Sequence, residues 1–205
     1  MKEQIISTSV FLQSCAAYTE CPRPDKPEFA FIGRSNVGKS SLINMLCNHK
    51  GLAKVSGTPG KTVSINHFLI NDTWYWVDLP GYGYAKRSRN LREAWETAMR
   101  DYFLNRENLM TVFVLVDSRI PPQKADLDLI NNLGEHAVPL TLVFTKIDKN
   151  SKNETSRNIA AFNKALLESW EELPPSFHTS SIEKTGRNEL ISYIKQIAKT
   201  FKKPF

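Results

Sequence analysis

Glu28-Phe29-Ala30-Phe31-Ile32-Gly33-Arg34-Ser35-Asn36-Val37-Gly38-Lys39-Ser40-Ser41 decides the fold of this chain. The run Glu28–Gly33 reads as a short buried strand, and from Lys39 to about His49 the pattern turns helical. Between them stands G-x-x-x-x-G-K-[ST], in which glycines free the backbone to turn N–H groups onto phosphate oxygens and a lysine neutralises the outer phosphates. A helix N-terminus aimed at such a loop completes an anion site, because its unpaired N–H groups and its dipole both favour phosphate. Gly33, Arg34, Ser35, Asn36, Val37, Gly38, Lys39, Ser40 and Ser41 are therefore expected to cradle a nucleotide's phosphates, with Lys39 on the γ-phosphate. ATPases and kinases share this loop, so it does not choose the base.

The base is chosen far downstream, where Thr145-Lys146-Ile147-Asp148 follows the apolar run Pro139–Phe144. The Asp148 carboxylate can accept two hydrogen bonds, which suits the N1–H and exocyclic amine that guanine presents and adenine does not. Lys146 can lay its aliphatic stem along the base while its charge stays in water. Later, Phe177-His178-Thr179-Ser180-Ser181 precedes a helical stretch, and Thr179, Ser180 and Ser181 are expected behind the base with their backbone near the guanine O6.

Two further segments lie between these. Asp78-Leu79-Pro80-Gly81 follows the alternating β-rich run Thr73–Val77. In a D-x-x-G pattern at this place, Asp78 supports Mg²⁺ through a water and the Gly81 N–H meets the γ-phosphate, releasing it after hydrolysis. Upstream, Gly57-Thr58-Pro59-Gly60-Lys61-Thr62 is a loop ending in a hydroxyl. Mg²⁺ takes hard oxygen ligands in an octahedron, so the Ser40 and Thr62 hydroxyls are its expected protein ligands, with Gly60 and Lys61 beside them. A plain turn at Asp78–Gly81 and a plain strand start at Thr62 are the bland readings, and the order of the motifs decides against both. After Gly81, where many signalling GTPases carry a water-orienting glutamine, stands Tyr82. It has no amide and points an aromatic ring instead, so intrinsic hydrolysis is expected to be slow.

Beyond these motifs the chain alternates strands and helices. Helices are expected over Asn90–Asn105, Gln123–Gly134, Asn153–Ser169 and Thr185–Phe201, and strands over Val63–Ile70, Thr111–Asp117, Pro139–Thr145 and Phe177–Thr179, with an edge strand within Ile5–Cys15. Crossovers of this kind demand a mostly parallel sheet covered by helices on both faces, with the ligand loops at the carboxyl ends of the strands. The fold class is thus α/β, a three-layer nucleoside-triphosphatase architecture. The 205 residues, 41% hydrophobic and 23% charged, suit one domain with an N-terminal edge segment 1–27 and a basic C-terminal helix and tail 185–205. No apolar run is long enough to span a bilayer and Met1–Val10 does not read as a secretory signal, so a cytoplasmic protein is expected. Cys15, Cys21 and Cys47 form no C-x-x-C pair and lack histidines at ligand spacing; reduced structural thiols are expected rather than a zinc site.

The wording of these motifs resembles the EngB (YihA/YsxC) family of bacterial ribosome-biogenesis GTPases. The match lies in GRSNVGKSS from Gly33, TPGKT from Thr58, TKID from Thr145 and, most specifically, DLPGYGYA from Asp78. The likeness runs from about Phe11 to Phe201. It implies a Ras-like GTP-binding domain of the translation-factor-related class, a switch between GTP and GDP, Mg²⁺, and a partner in the rRNA of the large ribosomal subunit, together with a need for the protein in normal septation. Related potassium-dependent GTPases also carry asparagine where Asn36 stands, and its side-chain oxygen can help hold K⁺ against the phosphates. Signalling GTPases commonly carry asparagine where Thr145 stands, so the bracing bonds of that amide are expected to be weaker or rearranged here.

Charge agrees with an anionic partner. The chain has 27 Lys+Arg against 21 Asp+Glu, a net charge of +6, and an isoelectric point near 9.2. Lys86, Arg87, Arg89 and Arg92 follow the Asp78–Gly81 turn with Tyr82 and Tyr84 interleaved; Lys195, Lys199, Lys202 and Lys203 mark the last helix and tail. Basic residues neutralise nucleic-acid phosphates regardless of sequence, and aromatics stack on unpaired bases. Expected partners are GTP and GDP, with rRNA or a large-subunit precursor through the basic surface; no membrane, no DNA and a monomer are expected. Two other classes stay open: a P-loop ATPase or kinase, which has no use for Thr145–Asp148, and a nucleotide-stabilised scaffold acting directly in septation.

Overall fold

A computed structural model describes residues 6–53, 64–83 and 89–204. The central sheet has seven strands in the order β1-β3-β4-β2-β5-β6-β7: β1 (Ser9–Cys15), β2 (Glu28–Gly33), β3 (Ile65–Ile70), β4 (Trp74–Asp78), β5 (Leu109–Asp117), β6 (Leu140–Thr145) and β7 (Ser176–His178). Only β3 runs against its neighbours, and β4-β2-β5-β6-β7 pair in parallel. The helices are α1 (Lys39–Cys47), α2 (Arg89–Asn105), α3 (Lys124–Glu135), α4 (Lys152–Leu166) and α5 (Arg187–Ala198). The α/β fold with a mostly parallel, doubly covered sheet is the one expected, edge strand included.

Strand β2 shows why. All six of its residues are buried, which is what a parallel strand between two helical layers requires. Phe29 and Phe31 point to the face that packs under α1 and α5 with Leu42, Leu46, Leu190 and Ile194. Ala30 and Ile32 point to the other, beneath α2, α3 and α4 with Met99, Ile130 and Phe162. The hairpin joining β3 to β4 turns through the three residues Asn71–Thr73, Asn71 and Asp72 both with positive φ, and the Thr73 N–H closes the turn onto the Ile70 carbonyl.

Helix ends account for the boundary differences. α1 stops at Cys47 because Asn48 turns left-handed at φ 49° and its N–H closes onto Asn44 and Met45. α4 begins one residue early because Ser151 caps it, its hydroxyl accepting from the Glu154 N–H, an S-x-x-E arrangement. It stops at Leu166, whose carbonyl collects the Ser169 and Trp170 N–H groups. α5 starts at Arg187, not Thr185, because Gly186 sits at φ 76° and Thr185 bridges to Ser180. There, a Cβ at Gly186 would lie 2.4 Å from the His178 carbonyl oxygen. The three cysteines are free thiols, but Cys15 and Cys21 converge on His67, a juxtaposition that spacing along the chain does not reveal.

Candidate nucleotide site

Three loops meet at the carboxyl ends of β2, β4 and β6, and each is fixed by its neighbours. The loop leaving β2 turns through Asn36 at φ 65° and Gly38 at φ 108° before α1 begins. Gly33 has no room for a side chain, since a Cβ there would approach Val37 Cγ1 to 2.7 Å. Lys39 opens the helix and its ammonium pairs with the Asp78 carboxylate at the end of β4. Ser40 follows on the first turn, half-buried, and Ser41 is exposed.

The Asp78–Gly81 segment is docked on that loop. Leu79 N–H donates to the Phe31 carbonyl at 3.0 Å, and Arg34 and Tyr82 form an isolated parallel bridge that extends the β2–β4 pairing past the strand ends. A Cβ on Gly81 would come within 2.9 Å of the Gly33 carbonyl oxygen, so the close approach of the two backbones requires glycine. The Pro80 carbonyl accepts from the Trp95 indole N–H at 3.1 Å. Tyr82, expected to aim its ring at the site, instead buries it beside Trp95. Its hydroxyl donates to Asp126 Oδ1 at 2.7 Å, while Arg34 Nε donates to the same carboxylate at 3.0 and 3.2 Å. Burial raises the Asp126 carboxyl above its usual range, against the pull of Tyr82 and Arg34.

The base-side loop reaches the same place from β6. The Thr145 hydroxyl donates to the Val37 carbonyl at 2.7 Å and lies 3.2 Å from the Val116 carbonyl, so the bracing expected to change is taken over by a shorter side chain. Lys146, at φ 61°, sends Nζ to the Asn36 carbonyl at 2.6 Å and to Asp117 Oδ2 at 2.8 Å. Its Cε would lie 3.8 Å from a Cβ placed on Gly38, which sets the stem alongside the phosphate loop. Asp117, the last residue of β5, is gripped on both oxygens by Arg119 at 2.9 and 2.8 Å. Burial alone would raise its carboxyl, but hydrogen bonds from Arg119 and Lys146 hold it down at about 2.

Asp148 forms an ion pair with Lys149 at 3.2 Å and has Ser180 beside it. Ser180 and Lys149 lower its carboxyl against the opposing effect of burial. Ile147 N–H donates to the Thr179 carbonyl at 3.2 Å. Thr179 in turn bonds the Phe144 carbonyl through both N–H and hydroxyl, at 2.7 and 3.1 Å. Thr179 and Ser180 are buried and Ser181 is half-buried beside them.

The predicted residues Gly33 to Ser41, Asp78 to Gly81, Thr145 to Asp148 and Thr179 to Ser181 thus gather at one end of the sheet. Gly60, Lys61 and Thr62 lie outside the described residues. Asp117 and Asp126 were not singled out by sequence. The readable signal for Asp117 is an acid ending the mostly apolar run of β5 at the end of the sheet where the loops converge; Asp126 has none.

Comparison with known proteins agrees with this geometry. The family whose model matches residues 28–146 is described as "50S ribosome-binding GTPase". The chain is 53% identical over 194 residues to a probable GTP-binding protein EngB of Bacteroides fragilis, covering 95% of this chain and 96% of that one. It is 53% identical over 193 residues to the corresponding Flavobacterium psychrophilum protein, covering 94% of each. Among solved structures, a probable GTP-binding protein EngB superposes with a TM-score of 0.68 at 20% identity over 85% of this chain and all of that one, a likeness of fold. The G domain of the T. maritima FeoB iron transporter matches with a TM-score of 0.54 at 26% identity, covering 84% of this chain and 99% of that one. A glycine loop, a docked Asp78–Gly81 segment and a base-side loop arranged on this sheet, in a chain half identical to such relatives over nearly its whole length, make it a GTPase belonging to the EngB family of GTP-binding proteins.

Proposed function

We propose that this protein is a slow GTPase switch in the assembly of the large ribosomal subunit, acting in the cytoplasm as a single-domain monomer, and that its part in septation follows from ribosome supply. The observation that supports this best is the convergence of the glycine loop, Asp78–Gly81 and Thr145–Asp148 at one end of the sheet. Residues 33–41 cradle the phosphates. Lys39, paired with Asp78, exchanges that partner for the γ-phosphate. Asp148 reads guanine, Lys146 lies along the base, and Ser180 and Ser181 back it.

Mg²⁺ fits this donor set, because a serine hydroxyl at Ser40 and a carboxylate at Asp78 are hard oxygen groups placed next to the phosphate lysine. Ser40 and Thr62 would ligate it and Asp78 would support it through water; the ion would supply neutralisation of phosphate charge. In hydrolysis, water attacks the γ-phosphorus, the bond to the β,γ-bridging oxygen breaks, and GDP and phosphate leave. Gly81 N–H and Lys39 stabilise the charge that shifts; Asn36 would hold a K⁺ there, which would supply further positive charge where a signalling GTPase uses an arginine. Loss of phosphate removes the contact of Gly81, and the basic residues that follow carry the state of the nucleotide to RNA. Among the described residues, Lys199, Lys202 and Lys203 are exposed and extend a basic surface at the C-terminal end.

The test is nucleotide competition with wild type and Asp148→Asn, followed by sedimentation with large-subunit particles in potassium and in sodium. Wild type prefers GTP and GDP to ATP, and the variant exchanges that preference for xanthosine triphosphate, which offers an oxygen where guanine offers an amine. GTP-dependent association with particles supports the switch. Guanine selectivity with nucleotide-independent association would favour the scaffold, and hydrolysis at equal rates in both salts would remove K⁺.

A further inference from the structure

On the β1 side of the sheet, on the face beneath α2, three metal-ligating side chains come together from separate parts of the chain. Cys15 ends β1, Cys21 follows the short 3₁₀ turn Tyr18–Glu20, and His67 lies in the middle of β3. Their ligand atoms all fall within 4.8 Å of one another, with Cys15 Sγ 3.9 Å from His67 Nδ1. A tetrahedral zinc ion with bonds of about 2.3 Å to sulfur and about 2.0 Å to nitrogen spaces its donors about 3.5 to 3.8 Å apart. The cluster needs only a small contraction to reach that spacing.

The histidine is already oriented for the task. Its Nε2 lies 3.2 Å from Glu28 Oε2, and Glu28 is also held by Arg106 at 2.6 Å. A carboxylate only accepts, so the bond calls for the Nε2–H tautomer, which leaves the Nδ1 lone pair facing Cys15. A carboxylate behind a histidine whose other nitrogen faces thiols is the arrangement that fixes ring and tautomer in zinc sites. Charge also closes: two thiolates neutralise a divalent ion, and Arg106 neutralises Glu28. Cys15 and His67 are buried, while Cys21 is part-exposed and opens the cluster to solvent.

We propose that Cys15, Cys21 and His67 form a Zn²⁺ site, with Glu28 as the positioning residue. Water takes the fourth position, and Gln13 Nε2, which donates to Cys15 Sγ at 3.2 Å, supports the thiolate. The ion ties the edge strand β1 and the segment after it to β3. It stands apart from the nucleotide's Mg²⁺ in both place and chemistry: Cys15 packs on the face of the sheet beneath α2, whereas the phosphate-loop helix α1 packs on the other, and soft thiolates select zinc where oxygen ligands select magnesium.

The experiment uses the full chain, purified reduced and without chelator, with Mg²⁺ and GDP in excess. Elemental analysis after gel filtration is expected to find one zinc per chain, and Co²⁺ in its place is expected to show thiolate-to-cobalt charge transfer with the intense d–d bands of a tetrahedral ion. Cys21→Ser, chosen because its site is part-exposed, is expected to weaken zinc binding by at least about a hundredfold. Cys47→Ser, whose thiol packs on the opposite face of the sheet, is expected to leave it unchanged. Should Cys21→Ser not fold, the cobalt spectrum of the wild type decides alone. Absence of the cobalt–thiolate band, undiminished zinc affinity in Cys21→Ser, or an intact mass short by two hydrogens, which would mean a Cys15–Cys21 disulfide instead, would each overturn the proposal.

Discussion

Thr145 carries two loads with one hydroxyl. It donates to the carbonyl of Val37, in the loop that turns on the phosphates, and approaches the carbonyl of Val116 in the neighbouring strand. Both Thr145 and Val37 are buried, so removing the donor leaves a carbonyl that water cannot satisfy, at a cost of about 1–3 kcal/mol. Thr145→Val keeps the shape and deletes only the donor. It is expected to weaken GTP and GDP binding roughly tenfold, and Thr145→Ser is expected to restore it; titration with a fluorescent nucleotide reads both. Unchanged affinity in the valine variant, with lowered stability, would show that the hydroxyl braces the fold rather than the loop. The motif containing this residue was legible in sequence, but the identity of its acceptor was not. Val37 lies far away in the chain, and no local pattern says which carbonyl a hydroxyl will find.

At the scale of elements, β2, β5 and β6 were legible because strands buried on both faces read as near-continuous apolar runs, and the glycine loop at Gly33–Ser40 fixed which end of the sheet holds the nucleotide. The direction of Tyr82 was not legible. A tyrosine after Gly81 reads as a ring beside the phosphates until α3 supplies Asp126, and only the packed structure brings Tyr82 and Arg34 onto that one carboxylate. The consequence is a latch: the glycine loop, the segment after β4 and α3 share a buried acid. Deleting the hydroxyl with Tyr82→Phe leaves Asp126 to Arg34 alone and loses a charge-assisted hydrogen bond of about 1.5–3 kcal/mol. Amide exchange across residues 79–83 is expected to quicken by about tenfold or more, while nucleotide affinity stays within about twofold. Unaltered protection there would mean that Trp95 packing and the backbone bridge hold the segment without the hydroxyl.

Across the whole molecule, the nucleotide loops occupy one end of the sheet and a buried ionic node anchors the other. Glu28 has no exposed surface, and its partners arrive from across the chain. The Tyr102 hydroxyl donates at 2.6 Å, His67 Nε2 lies at 3.2 Å, and Arg106 donates Nε and Nη2 at 3.0 and 2.6 Å. Arg106 Nη1 also reaches the Pro22 carbonyl at 3.0 Å. Burial would raise the Glu28 carboxyl, but the bonds from His67 and Arg106 hold it at about 2. Sequence shows only an acid at the start of an apolar strand, because every partner that makes its burial tolerable is remote. Removing one member of such a buried pair strands the other, at about 3–5 kcal/mol, a large share of the roughly 5–15 kcal/mol that holds a domain folded. Arg106→Met is therefore expected to lower the urea midpoint sharply. Adding Glu28→Gln to it should recover part of the loss, because the uncompensated charge is then gone. Nucleotide affinity of the folded fraction should not change, since the node and the loops sit at opposite ends of β2. A loss below about 1 kcal/mol in the single variant would mean that Tyr102 and His67 satisfy Glu28 without the guanidinium, and a changed nucleotide affinity would mean that the two ends of the sheet are not held as separately as their bonds suggest.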